Sequence, residues 1–151
     1  MKKSTKLLIC CGVAAAVIFG GIAYVFRPLT FSQAIGGVKT EEIEKLVIHK
    51  DGEQVDILSE SEIKAIYEKI SSVKLKAAVQ KKLEGCTWRI DVYVKDSDGH
   101  ISYNCDKSFW KHDGYKKGVG DFLWYIDSSE TIEYTLKGHF EDHQPSIPIY
   151  D

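Results

Sequence analysis

The stretch IEKLVIHKDGEQVDILSESEIKAIYEKI, residues 43–70, changes its hydrophobic period halfway along. Up to Ile57 the apolar side chains alternate on either side of Asp51-Gly52, the dipeptide that tolerates the positive φ angles of a type I′ turn. If Lys50 faces Glu53, then Ile48 opposes Val55 and Leu46 opposes Ile57, so turn chemistry and pattern select one register. Beyond Ser59 the period lengthens. Ile63, Ile66, Tyr67, Ile70 and Val73 recur at spacings of three and four, the apolar stripe of a helix. Ser59 and Glu62 read as a capping box at its start. A one-faced hairpin followed by a one-striped helix predicts that the helix lies across a sheet.

Toward the C-terminus, residues 74–85 carry Lys74, Lys76, Lys81 and Lys82 and read as a mobile, solvated connection. From Thr87 a second hairpin is expected, with Trp88, Ile90, Val92 and Val94 alternating with polar residues. A turn at Asp96-Ser97-Asp98-Gly99 places Lys95 against His100, Ile101 against Val94, Tyr103 against Val92 and Cys105 against Ile90. Residues 121–126 read as a further strand. SSETIEYTLKGHF, residues 128–140, reads as a helix capped by Ser128 or Ser129, with Ile132, Leu136 and Phe140 on its apolar face. The expected fold is α+β: a two-layer antiparallel sheet in the order hairpin, helix, hairpin, strand, helix, behind one N-terminal transmembrane helix.

Toward the N-terminus, residues 7–26, LLICCGVAAAVIFGGIAYVF, hold no charge. At ~1.5 Å rise per residue such a run spans the ~30 Å hydrocarbon layer of a bilayer. The expected organisation is a basic cytoplasmic segment, 1–6; an anchor or uncleaved signal, 7–26; a linker with a break at Gly36-Gly37, 27–42; and an extracytoplasmic domain, 43–151. Lys2, Lys3 and Lys6 ahead of the run favour a cytoplasmic N-terminus. The alternative is secretion after signal cleavage near Ala23, though the apolar run exceeds the ~7–15 residues of an ordinary signal core. Cys10 and Cys11 sit too early for lipoprotein acylation and read as small apolar residues. Gly12, Gly20 and Gly21 allow close approach of a second membrane helix.

The chain of 151 residues has a formal charge of -2, but its only basic excess lies before residue 28; the rest holds 16 basic against 22 acidic side chains. That excludes a phosphate-backbone surface, so no nucleic-acid partner is expected. His139 and His143, at i and i+4, are a weak candidate for a metal pair and hence for a metal-dependent hydrolase. The order HFEDH lacks the glutamate placement of HExxH, and histidines near a helix C-terminus meet the helix dipole favourably without a metal. Asp96-Ser97-Asp98-Gly99 lacks the flanking acids of a calcium loop. Cys86 and Cys105, in the register above, stand too far apart for a disulfide. No nucleophile, base and acid set emerges, and neither catalytic activity nor a cofactor is expected.

The stretch Phe109 to Lys117 interleaves aromatic and basic side chains, and Trp110, Lys111, Tyr115, Lys116 and Lys117 are the ligand or partner candidates. Exposed aromatics beside lysines suit sugar rings, an anionic wall polymer or a protein partner. The lysine-headed anchor, then LTFSQAI at 29–35, then residues 43–70, together resemble small uncharacterised membrane-anchored, lipoprotein-like extracytoplasmic domains of Gram-positive bacteria. The resemblance implies an exported domain and carries over no site residues. The expected function is a non-catalytic binding or interaction module. It is held to membrane lipid through residues 7–26 and turned toward a cell-envelope polymer or protein. A regulatory subunit of a membrane complex is the other reading.

Overall fold

The computed structural model describes residues 3–78, 88–105, 108–119, 124–127 and 129–143. The first hairpin takes the expected register. Strands β2 (Ile43–Lys50) and β3 (Glu53–Ile57) pair with Lys50 opposite Glu53, Ile48 opposite Val55 and Leu46 opposite Ile57. Asp51 and Gly52 adopt φ of 49° and 89°, both left-handed as a type I′ turn demands. Helix α3 (Glu60–Ile70) buries Ile63, Ile66, Tyr67 and Ile70. Its capping box does not form: the Ser59 hydroxyl meets the Ser61 hydroxyl at 2.8 Å instead of capping the helix.

The capping box lies elsewhere, in a segment read as linker. Strand β1 (Leu29–Thr30) leads into the short helix α2 (Phe31–Ala34), where the Gln33 N–H donates to Thr30 Oγ1 and the Thr30 N–H to Gln33 Oε1. Leu29, Phe31, Ala34, Ile35 and Val38 are all in the core. The Phe31 ring packs edge-on to Tyr103, with centroids 5.6 Å apart, and against Phe109 at 5.9 Å. Residues 29–38 are therefore part of the folded body.

Residues 74–78, expected to be a solvated connection, are strand β4 (Lys74–Ala78), hydrogen-bonded between β1 and β8 (Trp124–Asp127). Lys74 and Lys76 alternate with buried Leu75 and half-buried Ala77, so one face is charged and the other is core. Cys86 and residues 79–87 lie outside the described residues.

Strands β5 (Trp88–Val94) and β6 (His100–Asn104) form the second hairpin, shifted by two residues from the expected register. Tyr93 opposes His100, Val92 opposes Ile101 and Ile90 opposes Tyr103. A two-residue shift keeps every side chain on its expected face. The cause is Gly99. A Cβ there would run into the His112 carbonyl of β7 (Ser108–His112), so this glycine serves close packing, and Asp96 supplies the left-handed turn position at φ 56°. Cys105 donates its N–H to the Trp88 carbonyl at 3.0 Å, so the pairing that set it against Ile90, and with it the distance argument about Cys86, does not hold.

The strands form one antiparallel sheet in the order β1-β4-β8-β7-β6-β5-β2-β3. Helix α4 (Thr131–His143) joins α3 on one face, and its Phe140 stacks edge-on against Trp88 at 5.5 Å. Ile132, Leu136 and Phe140 are buried as expected. The start of α4 is covered by the Asp127 carboxylate, which accepts from the Ile132 and Ser129 N–H groups; Ser128 lies outside the described residues. Ahead of the domain, helix α1 (Lys3–Val25) contains Leu8–Val25, a window of mean hydropathy 2.4 with no residue buried. Among the described residues it is the one helix long and apolar enough to cross a membrane.

Candidate functional site

The helices cover one face of the sheet, and the outward positions of β2, β5, β6 and β7 form the other. Those positions include Lys45, Val47 and His49; Arg89, Asp91 and Tyr93; His100 and Ser102; Trp110 and His112. Pairing sets them in rows: Val47, Asp91, Ser102 and Trp110 lie side by side, as do Lys45, Tyr93, His100 and His112.

At the centre is Asp91, a carboxylate only 3% exposed on the face away from the helices. His49 Nε2 lies 2.8 Å from its Oδ2, and Arg89 reaches the same oxygen through Nη2 at 3.4 Å. Arg89 Nη2 is also 2.9 Å from His49 Nε2. One ring nitrogen either donates to the carboxylate or accepts from the guanidinium, so His49 satisfies one of these contacts at a time. Arg89 Nε stands 3.1 Å from Asp91 Oδ1 without hydrogen-bond alignment. Nε, Oδ1 and the buried Ser102 hydroxyl have no hydrogen-bond partner among the described residues. Buried polar atoms are nearly always paired, so these three stand out, but all are closed to solvent and Nε and Oδ1 face each other as an ion pair. The groups open to an incoming molecule are the Arg89 and His49 side chains, 40% and 20% exposed.

Around this centre stands an aromatic row. Tyr93 stacks on His100 and His100 on His112, each at 4.4 Å between centroids, with Lys45 Nζ 4.3 Å above the Tyr93 ring. Burial lowers the pKa of His100; Asp91, 3.9 Å away, opposes that shift and His112 reinforces it. Burial raises Tyr93, with help from Asp91. Trp110 adjoins Ser102 and is 50% exposed, a large apolar plane at the rim.

Of the candidates read from sequence, Trp110 alone belongs here. Tyr115 is in the core: its hydroxyl donates to the Ile35 carbonyl at 2.8 Å, and burial pushes its pKa up to about 12. Lys111 donates to the Gly118 carbonyl, Lys117 turns toward Glu42 at 4.0 Å, and Lys116 is exposed. The loop is thus a brace against residues 34–42 rather than one recognition surface.

His143 uses both ring nitrogens, Nδ1 at 2.8 Å from the His139 carbonyl and Nε2 at 3.1 Å from Glu62. His139 lines a separate cavity with Lys69, Tyr134 and Asp142, and its pKa is lowered by burial first and Lys69 second. The two histidines therefore do not offer two open nitrogens to one ion. Among the described residues no three of His, Cys, Asp and Glu are placed to hold a metal. At Asp91 the Arg89 guanidinium already stands where a cation would bind.

Alternation in the two hairpins leaves His49, Asp91 and Ser102 on the face away from the core, and Trp110 came from the aromatic and basic stretch, but their convergence depends on strand order and the shifted hairpin. No protein-family model, curated protein or solved structure matches this chain.

Proposed function

We propose that the protein is a non-catalytic binding module, carried outside the cell membrane by helix α1, whose open sheet face holds a sugar ring of a cell-envelope polymer. The carrying observation is half-exposed Trp110, set in one row with Asp91, whose ion-pair partners Arg89 and His49 reach the surface. A pyranose offers an apolar face of C–H bonds and a rim of hydroxyls. The indole takes the first; the guanidinium of Arg89 and the imidazole of His49, held in place by buried Asp91, take the second. The row of Lys45, Tyr93, His100 and His112 extends the platform along β2, β5, β6 and β7, as suits a polymer rather than a single small molecule. The uncharged, unburied window Leu8–Val25 of α1 and the lysines ahead of it support the single-pass topology with the N-terminus in the cytoplasm.

The test is co-sedimentation of the full chain in detergent with purified peptidoglycan sacculi. Wild-type protein pellets with them. Trp110→Ala weakens retention by roughly 30-fold, the ~2 kcal/mol of a central aromatic contact, and Asp91→Asn weakens it as well. Equal retention of both variants, with folding intact by circular dichroism, removes this face as the site.

A further inference from the structure

We propose that the cavity at the foot of the anchor binds the phosphate headgroup of an anionic phospholipid in the leaflet from which the domain emerges; this rests on α1 spanning the bilayer. The cavity, of about 480 Å³, is lined by Arg27, Leu29, Gln33, Gly36, Gly37 and Gly118 among others, with no carboxylate in its wall. Its depth follows from the chain. Helix α1 ends at Val25 and the core begins at Leu29, so Arg27 and Pro28 alone separate the apolar span and Phe26 from the folded body. Eighteen residues from Leu8 to Val25 rise ~27 Å, close to the hydrocarbon thickness, which puts Arg27 at headgroup level.

The Arg27 guanidinium lies 4.2 Å from the Tyr24 ring centroid, an aromatic and cation pair of the kind enriched at membrane interfaces. Among the described residues no carboxylate pairs with it. A guanidinium recognises phosphate through paired N–H donors, and at this depth phosphate belongs to lipid. The walls are firmly set. A Cβ on Gly36 would come within 2.5 Å of Lys117 Cβ, and one on Gly118 would strike the Ala34 carbonyl, so the two glycine-bearing segments interlock.

The experiment places the full chain in phosphatidylcholine vesicles doped with a headgroup-photoactivatable analogue of either phosphatidylglycerol or phosphatidylcholine. Flotation is measured first, then cross-linking to residues 27–37. The expected result is flotation in both and about fivefold more cross-linking by the anionic analogue, the ratio that ~1 kcal/mol per basic residue gives. In R27Q that preference falls to parity while flotation persists. K64Q, which removes an equal charge from helix α3, outside the lining of the cavity, keeps it. Flotation with equal labelling by the two analogues, or an undiminished preference in R27Q, overturns the headgroup site and leaves the anchor standing. Failure of the wild-type chain to float overturns the anchor reading and the site together.

Discussion

His100 and His139 both hold pKa values below the ordinary 6.5, principally because burial penalises the charged ring. The unfolded chain therefore binds more protons than the folded one between those lowered values and pH 6.5. By linkage the stability these residues contribute is complete above 6.5 and falls as the pH drops through that window. Urea unfolding at a series of pH values will show this as a decline on acidification, and His100→Gln with His139→Gln will flatten it. Tyr115 has the opposite sign: raised to about 12, it contributes stability that is lost between pH 10 and 12. The sequence shows which of these residues are aromatic or ionisable, but not their surroundings. Tyr115 follows Asp113-Gly114 and precedes two lysines, a surface pattern, yet it is buried because Ile35 lies across from it, 80 positions earlier. Asp91 was equally hidden, since a buried acid becomes visible only when His49 and Arg89 are known to flank it.

Elements were legible where one local rule sufficed. The first hairpin followed from Asp51-Gly52 and alternation, and the faces of α3 and α4 from their periods. The second hairpin slipped by two because the rule that puts glycine at the turn competed with a tertiary demand, the contact of Gly99 with β7. Gly99→Ala is accordingly predicted to cost about 2 kcal/mol or more, as overpacking against backbone does. Gly37→Ala, with open space around its Cβ, meets only the strain of its φ of 71°. Chemical denaturation of the two variants checks the order; equal losses would show that turn geometry, rather than contact with the His112 carbonyl, holds Gly99. Strand β4 escaped notice because its lysines suggested solvent, whereas a strand beside β1 and β8 needs only every second residue to be apolar.

On the scale of the whole molecule, the folded body begins at residue 29 rather than 43. Phe31, fully buried against Tyr103 and Phe109, is worth about 3–5 kcal/mol against alanine. A fragment starting at Pro28 is predicted to fold with a cooperative thermal transition, and one starting at Ile43 to lack it, having lost five core side chains. Whether the open sheet face receives a sugar ring over Trp110, Arg89 and His49 is decided by nuclear magnetic resonance. The full chain in detergent is titrated with a soluble muropeptide. Saturable shifts are expected of the Trp110 indole N–H and of the Arg89, Asp91 and Ser102 amides, with the amides of α3 and α4 still. Shifts confined to the His139 cavity, or none on β5 to β7, would contradict sugar binding at this face.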